Sequence, residues 1–399
     1  MQNKLWTGSF ISACIGNFLL FFAFYLLIPI LPLFLIEEFN ATKSLVGLVL
    51  ASHTLAALAI RPFSGFLLDL FRRKPQYLLA YLAFILMFVS YPLVNTMLLF
   101  LIFRMLHGVA FGYITTAGNS FMVDILPPSR RGEGLGFFGV ANTLAMVFGP
   151  MTSLMMHDHY SYDTIFYLAI GSGLLGFCFA MMVKAKNQVR KTEPEPISLD
   201  RFFLFKGFKA GITLLLIGIP YGMFMTYLAI YGKELGIKSG LGIFFSLMAA
   251  GMIVSRMFSG KMVDNGKLNK AIEAGLIISL TGTMMLASFQ KLNMVNHELT
   301  VVLFYICPVL LGFGYGMCFP AYNTLFVNLA ANNRRATASS TFMTSWDIGV
   351  GLGLVLGGWF ADSKGGLPLA FLVGGLLTVF AYFYFIKAAG PHFLKNKLR

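Results

Sequence analysis

Twelve apolar runs of 20 to 28 residues follow one another along this chain, and few folds accommodate that pattern. They cover 9–36, 43–70, 75–94, 97–123, 133–156, 164–184, 209–232, 240–263, 268–289, 299–326, 337–361 and 367–387. A helix needs about 20 apolar residues to cross the hydrocarbon core of a bilayer. In lipid the backbone must satisfy its own hydrogen bonds, which leaves helices or closed barrels. No alternating barrel pattern is present, so each run is expected to be a helix and the lipid bilayer its surroundings. Twelve spans and their loops use up the 399 residues and leave no room for a sizeable soluble domain. Composition agrees, with 12% charged residues against about 25% in soluble domains.

The net charge of +14 would suit a nucleic-acid binder. The basic residues lie in short loops between apolar runs, however, so no nucleic acid is expected as a partner. Their distribution gives a topology. With the N-terminus inside, 22 of the 30 Lys and Arg residues fall in cytoplasmic segments and only five (Lys43, Lys233, Lys238, Lys291 and Lys364) in outer loops. Both termini are therefore expected in the cytoplasm of a cell that carries the chain in its inner or plasma membrane. The first run is too long for a signal-peptide core and lacks a small-residue cleavage site, so it reads as an uncleaved helix. Cys14, Cys178, Cys307 and Cys318 lie inside apolar runs without CxxC spacing and are expected to be small buried hydrophobes.

The longest hydrophilic stretch, 185–208, contains Pro194 and Pro196. It is expected to link an N-terminal bundle, 1–184, to a C-terminal bundle, 209–399. An internal repeat runs across it. The segment "RPFSGFLLD" at 61–69 matches "RMFSGKMVD" at 256–264, and Gly108, Gly112, Asn119, Arg130 and Arg131 match Gly312, Gly316, Asn323, Arg334 and Arg335. Two matches in the same order indicate a duplicated six-helix unit, the organisation of parallel-repeat transporters.

Several of these residues resemble signatures of the major facilitator family, in particular its twelve-helix drug:proton antiporter, sugar-efflux and metallophore-exporter branches. Gly65, Leu67 and Asp69 followed by Arg72, Arg73 and Lys74 resemble the loop signature after the second helix, with Leu70 and Arg72 in place of its Arg and Gly. Arg104-x-x-His107-Gly108 resembles the fourth-helix signature, with His107 in place of Gln. Ala145-x-x-x-Gly149-Pro150 resembles the fifth-helix antiporter signature, with Ser153 and Leu154 replacing its last glycines, and Pro29-x-x-Pro32 resembles an exporter feature. The resemblance implies an all-α membrane protein of twelve helices in two pseudo-symmetric six-helix bundles, with the solute bound between them. It also associates Arg104 with proton coupling.

A charge within the bilayer costs several kcal/mol, so each ionisable residue inside a run needs a reason. Asp347 lies ten residues into the eleventh run, about 15 Å deep at ~1.5 Å per residue. A carboxyl group there can exchange a proton as water reaches it from either side, or can form a fixed ion pair. Arg104 and His107, three apart, share a helix face, and His107 either titrates near neutral pH or packs against a carbonyl. His53 is a further candidate, with packing the simpler role. Asp69, Arg72, Arg73, Asp124, Arg130, Arg131 and Asp264 cluster at expected cytoplasmic ends and form a candidate charge latch, while Arg61 and Arg256 are placed to snorkel. Gly149 and Pro150 should kink the fifth helix and bring it against a helix of the other half. Asn17, Tyr25, Asn142, Tyr221, Tyr315, Tyr322 and Asn323 are candidate polar contacts in a solute cavity.

No Walker loop, HExxH or Gly-x-Ser-x-Gly is present, so enzyme chemistry is not indicated. No metal site or cofactor is expected, and a proton gradient would be the driving force. The leading reading is a monomeric exporter of a small organic solute, coupled to protons. A facilitator or importer of a sugar or organic acid on the same fold is the alternative, and a non-transporting receptor or scaffold the third.

Overall fold

A computed structural model describes residues 4–127, 130–184, 203–237, 240–331 and 335–398. Among them only helices form regular structure. The first apolar run folds as α1 (Gly8–Leu27) and α2 (Ile30–Phe39). The break falls at Ile28 and Pro29, because proline has no N–H to donate and crowds the preceding turn. Asn40, at φ 50°, then ends α2 in the left-handed region that asparagine tolerates.

The remaining helices are α3 (Lys43–Leu70), α4 (Arg73–Ser90), α5 (Met97–Ile125), α6 (Arg131–His157), α7 (Tyr162–Met182), α8 (Phe208–Glu234), α9 (Leu241–Asp264), α10 (Leu268–Val295), α11 (His297–Leu329), α12 (Arg335–Asp362), α13 (Gly366–Tyr384) and α14 (Gly390–Asn396). Side chains mark their starts. Thr7, Thr96 and Asn296 each accept a hydrogen bond from the backbone N–H three residues on, at 3.2, 3.4 and 2.9 Å. Among the described residues, eleven segments are long and apolar enough to cross a membrane, counting α1 with α2 as one. The twelfth expected span, α12, has the length at 28 residues, but Ser, Thr and Gly residues and Asp347 make it less apolar. The exposed surface carries large apolar side chains such as Leu55, Leu79, Met257 and Phe380. Cys178 belongs to that surface and Cys14 is half-buried, so neither is the core residue expected. Only Cys307 and Cys318 are buried.

The chain forms two compact units, one of residues 1–34 and 52–196, the other of 35–51 and 197–399. Residues 185–202 of the expected linker lie outside the described residues.

The sequence repeat marks where helices cross most closely in each unit. In the first, a Cβ on Gly108 would lie 2.2 Å from the His53 carbonyl oxygen, and one on Gly112 would lie 2.4 Å from that of Ala57. In the second, a Cβ on Gly312 would lie 1.8 Å from the Met248 carbonyl oxygen, and one on Gly316 would lie 2.8 Å from the Met252 Cα. Met248 and Met252 are the repeat mates of His53 and Ala57. The duplicated glycines are therefore a duplicated contact, α3 on α5 and α9 on α11, where only glycine lets the backbones approach.

Within the second unit, the first turn of α3 is tied to the end of α12. Asp362 accepts hydrogen bonds from the N–H groups of Lys43 (3.0 Å) and Ser44 (2.7 Å). This caps α3 and sets a negative charge at its positive end. Lys43 also pairs with Glu234, and Lys233 with Glu37 at 2.7 Å. Burial pushes the Asp362 carboxyl up, but the hydrogen bonds from Ser44 and Lys43, with the Lys43 charge, hold it below the ordinary 3.8. A depressed carboxylate stabilises the fold above its unfolded value, and that contribution disappears as pH falls through the folded value. Wild type should therefore melt above Asp362→Asn at neutral pH, with the gap closing on acidification below pH 3.8. A gap that is constant with pH would show that the carboxylate contributes nothing.

Candidate functional site

In the first unit the structure brings together three of the predicted ionisable residues and adds a fourth. Arg104 and His107 project from one face of α5, and His53 lies on the neighbouring α3. Tyr91 opens a 3-10 turn, Tyr91–Leu93, that closes α4, with Pro92 setting the turn. Arg104 Nη1 donates to the Tyr91 hydroxyl at 3.1 Å, and the hydroxyl shares a hydrogen bond with His107 Nδ1, 2.6 Å away. Where the hydroxyl donates to Nδ1, a neutral His107 carries its own proton on Nε2. The His53 and His107 rings meet edge to face at 5.3 Å.

Aromatic rings enclose the group. Phe24 stacks on His53 at 5.4 Å, and Phe84 and Phe88 lie 4.6 and 4.8 Å from His107. His107 is fully buried, His53 is 4% exposed and Arg104 6%. His53 Nε2, His107 Nε2 and Arg104 Nε have no hydrogen-bond partner among the described residues. Arg104 makes no ion pair among them either. An unsatisfied buried polar group costs about 1–3 kcal/mol, and a buried cation without a counter-ion costs more.

Packing does not require this polarity. The second unit builds the same crossing with Met248 at the position of His53, Leu311 at that of His107 and Pro308 at that of Arg104. Leu311 is fully buried and Met248 nearly so. One repeat fills these positions with apolar groups, and the other keeps two histidines and an arginine. Chemically, the bond between His107 Nδ1 and the Tyr91 hydroxyl depends on the protonation state of the imidazole. A protonated His107 would donate from Nδ1, so the Tyr91 hydroxyl would have to turn its own proton elsewhere.

Nothing in the sequence singles out Tyr91. A tyrosine at the end of a span ordinarily reads as an interfacial anchor, and only the turn at Pro92 folds it inward over α5.

The other candidates divide. Asp347 is half-buried on α12. The preceding Trp346 joins an aromatic cluster with Tyr221 at 4.8 Å and Phe319 at 5.3 Å. Tyr315 and Tyr322, expected to line a cavity, are instead closed into the core at 1% and 0% exposure. The Tyr315 hydroxyl donates to the Ile217 carbonyl at 3.2 Å. Asn17 is also buried and donates to the Phe138 carbonyl at 3.3 Å, bracing α1 against α6. Tyr25 and Asn142 are half-buried and Asn323 is exposed. In the expected latch, Arg73 and Asp124 form a half-buried pair at 2.9 Å. Each sits at a helix end whose dipole opposes its charge, and the pair offsets this. Arg72 is exposed and Arg130 half-buried, while the side chains of Asp69, Arg131 and Asp264 lie outside the described residues. Gly149 meets a different partner from the one expected. A Cβ there would lie 2.6 Å from the Tyr25 Cβ, so the Gly149–Pro150 segment packs on α1 of its own half.

Comparison with known proteins agrees with this architecture. A family model described as Major Facilitator Superfamily matches residues 13–353 and 274–397. The staphylopine export protein of Staphylococcus aureus (strain Mu50) is 21% identical over 366 residues, 89% of this chain and 90% of the relative. The multidrug resistance protein MdtG of Escherichia fergusonii is 26% identical over 394 residues, covering 95% and 94%. Among solved structures, the nucleoside transporter NupG superposes with a TM-score of 0.75 at 13% identity, covering 95% of this chain and 98% of its own. A bacterial homologue of the human lysosomal transporter Spinster also reaches 0.75, at 16% identity and 98% coverage of both chains.

Proposed function

This chain belongs to the Major Facilitator Superfamily, and on that premise we propose that it exports a small organic solute by alternating access in exchange for protons. Membership makes it a multi-pass membrane transporter of small molecules and not an enzyme. The coupling half of the proposal rests on one observation, the buried Arg104–Tyr91–His107 group with His53 beside it. Export follows the names of the relatives, one an export protein and one a multidrug resistance protein. In this reading both termini lie in the cytoplasm, which the Lys/Arg bias supports. The proton gradient supplies the energy, no resident cofactor takes part, and the monomer is the working unit.

Asp347 is the proposed carboxylate partner in the cycle, alternately protonated and ionised as water reaches it from each side. The arginine-rich ends, with the Arg73–Asp124 pair, hold one state until the gate opens.

Proteoliposomes test the role of Asp347. A solute found by thermal-shift screening should accumulate against its gradient when a pH gradient is imposed. Asp347→Asn should lose that accumulation, falling about 100-fold if the group transfers the coupled proton, and should keep exchange of solute for solute. A variant that still concentrates solute would remove Asp347 from the cycle. Cells lacking the protein should retain more of the solute than cells overexpressing it; the reverse would favour the importer.

A further inference from the structure

The second unit carries a cationic hollow beside its last helix. Beyond α13 the chain makes a π-turn, Phe385–Ala389, and then α14. Lys387, Pro391 and Lys395 recur at four-residue spacing and so fall on one face. That face meets Lys209 at the start of α8, and together with His392 and Asn396 these residues line a cavity of about 450 Å³. No carboxylate is among the described residues that line it. None of Lys209, Lys387 and Lys395 makes an ion pair among the described residues.

The hollow is held in shape. His392 Nε2 donates to the Lys206 carbonyl at 3.0 Å. Asn269 Nδ2 donates to the Gly390 carbonyl at 3.2 Å, and the Leu398 N–H donates to the Asn328 carbonyl at 2.9 Å. Phe393 is buried beneath. The C-terminal segment is thus tied to α10 and α11, and its lysines converge although like charges repel. Close to these lysines in sequence, Phe205, Phe208, Leu394 and Leu398 are each more than half exposed.

We propose that this hollow binds the phosphate-bearing headgroup of an anionic phospholipid, with the exposed Phe and Leu side chains against its acyl chains. Charge complementarity selects an anion, since three ammonium groups with no ion pair among the described residues face a space that no described carboxylate lines. The exposed Phe and Leu side chains on the same segments favour a lipid over a free anion, because a soluble phosphate would leave them uncovered. The site lies at a membrane end to which the Lys/Arg bias assigns the cytoplasm, where anionic headgroups attract basic clusters.

The test uses full-length protein in nanodiscs of phosphatidylcholine, alone or mixed with phosphatidylglycerol. Native mass spectrometry and thermal melting should show phosphatidylglycerol retained and stabilising. The triple variant Lys209→Gln, Lys387→Gln, Lys395→Gln should bind it on the order of 100-fold more weakly, while Lys→Arg at the same positions should keep it. Raising salt should weaken the wild-type effect, because the charges are accessible to screening ions. The salt titration needs only wild-type protein, so it decides the matter even if the triple variant does not fold. Equal retention by wild type and triple variant, or salt-independent binding, would overturn the proposal. Inorganic phosphate binding as tightly as phosphatidylglycerol would overturn the lipid assignment.

Discussion

Gly312→Ala should be the most damaging single methyl group that can be added to this protein. Its Cβ would lie 1.8 Å from the Met248 carbonyl oxygen, 2.7 Å from the carbonyl carbon and 3.0 Å from the Cα. All three are backbone atoms of α9, so no rotamer change relieves the clash and α11 must move away from α9. Overpacking of this kind costs about 3 kcal/mol or more. Its repeat mate Gly108→Ala, 2.2 Å from the His53 carbonyl oxygen, should behave similarly in the first unit. Gly139→Ala, where nothing lies within 4 Å, is the control. Thermal melting and the monodisperse fraction after solubilisation measure the effect. If Gly312→Ala melts with the control, the close crossing of α9 and α11 is wrong.

The second large effect is on transport, and the repeat supplies the design. His53→Met with His107→Leu installs in the first unit the residues that the second unit already packs at the same crossing, Met248 and Leu311. Both changes keep roughly the side-chain volume, and removing the two unpartnered Nε2 atoms offsets the hydrogen bond that the Tyr91 hydroxyl loses. The double variant should therefore accumulate and melt close to wild type. Its proton-driven transport should fall by about 100-fold, the scale of a lost acid–base group. Tyr91→Phe should fall part of the way, since Arg104 and His107 remain but lose their bridge. If instead the double variant unfolds while transport per folded molecule is unchanged, the histidines serve packing. The comparison separates the two roles because stability and coupling are read independently.

What the sequence reveals and what it hides follow from the physics of each feature. Spans are legible because a bilayer demands length and apolarity in each one, and the repeat is legible because the crossing glycines cannot be replaced. Even the break in the first span has a visible cause in Pro29. Depth within a bundle is hidden. Tyr315 and Tyr322 carry hydroxyls that invite a cavity assignment, yet both are sealed in the core, since an apolar run gives no period that distinguishes lipid from protein. Asn17 is hidden for the same reason, its amide being spent on the Phe138 carbonyl. Tyr91 escapes because its role depends on a turn that folds it over a helix beginning only a few residues later. Partner choice is equally invisible, as with Gly149, which packs on α1.

Coupling of solute movement to protons is the claim on which the function rests, and inside-out membrane vesicles measure it most directly. Vesicles bearing the protein, given an acidic interior and a solute that stabilises the purified protein, should accumulate that solute. Dissipating the pH gradient should abolish accumulation, as should His53→Met with His107→Leu. Accumulation that persists unchanged after the gradient is collapsed would contradict proton coupling.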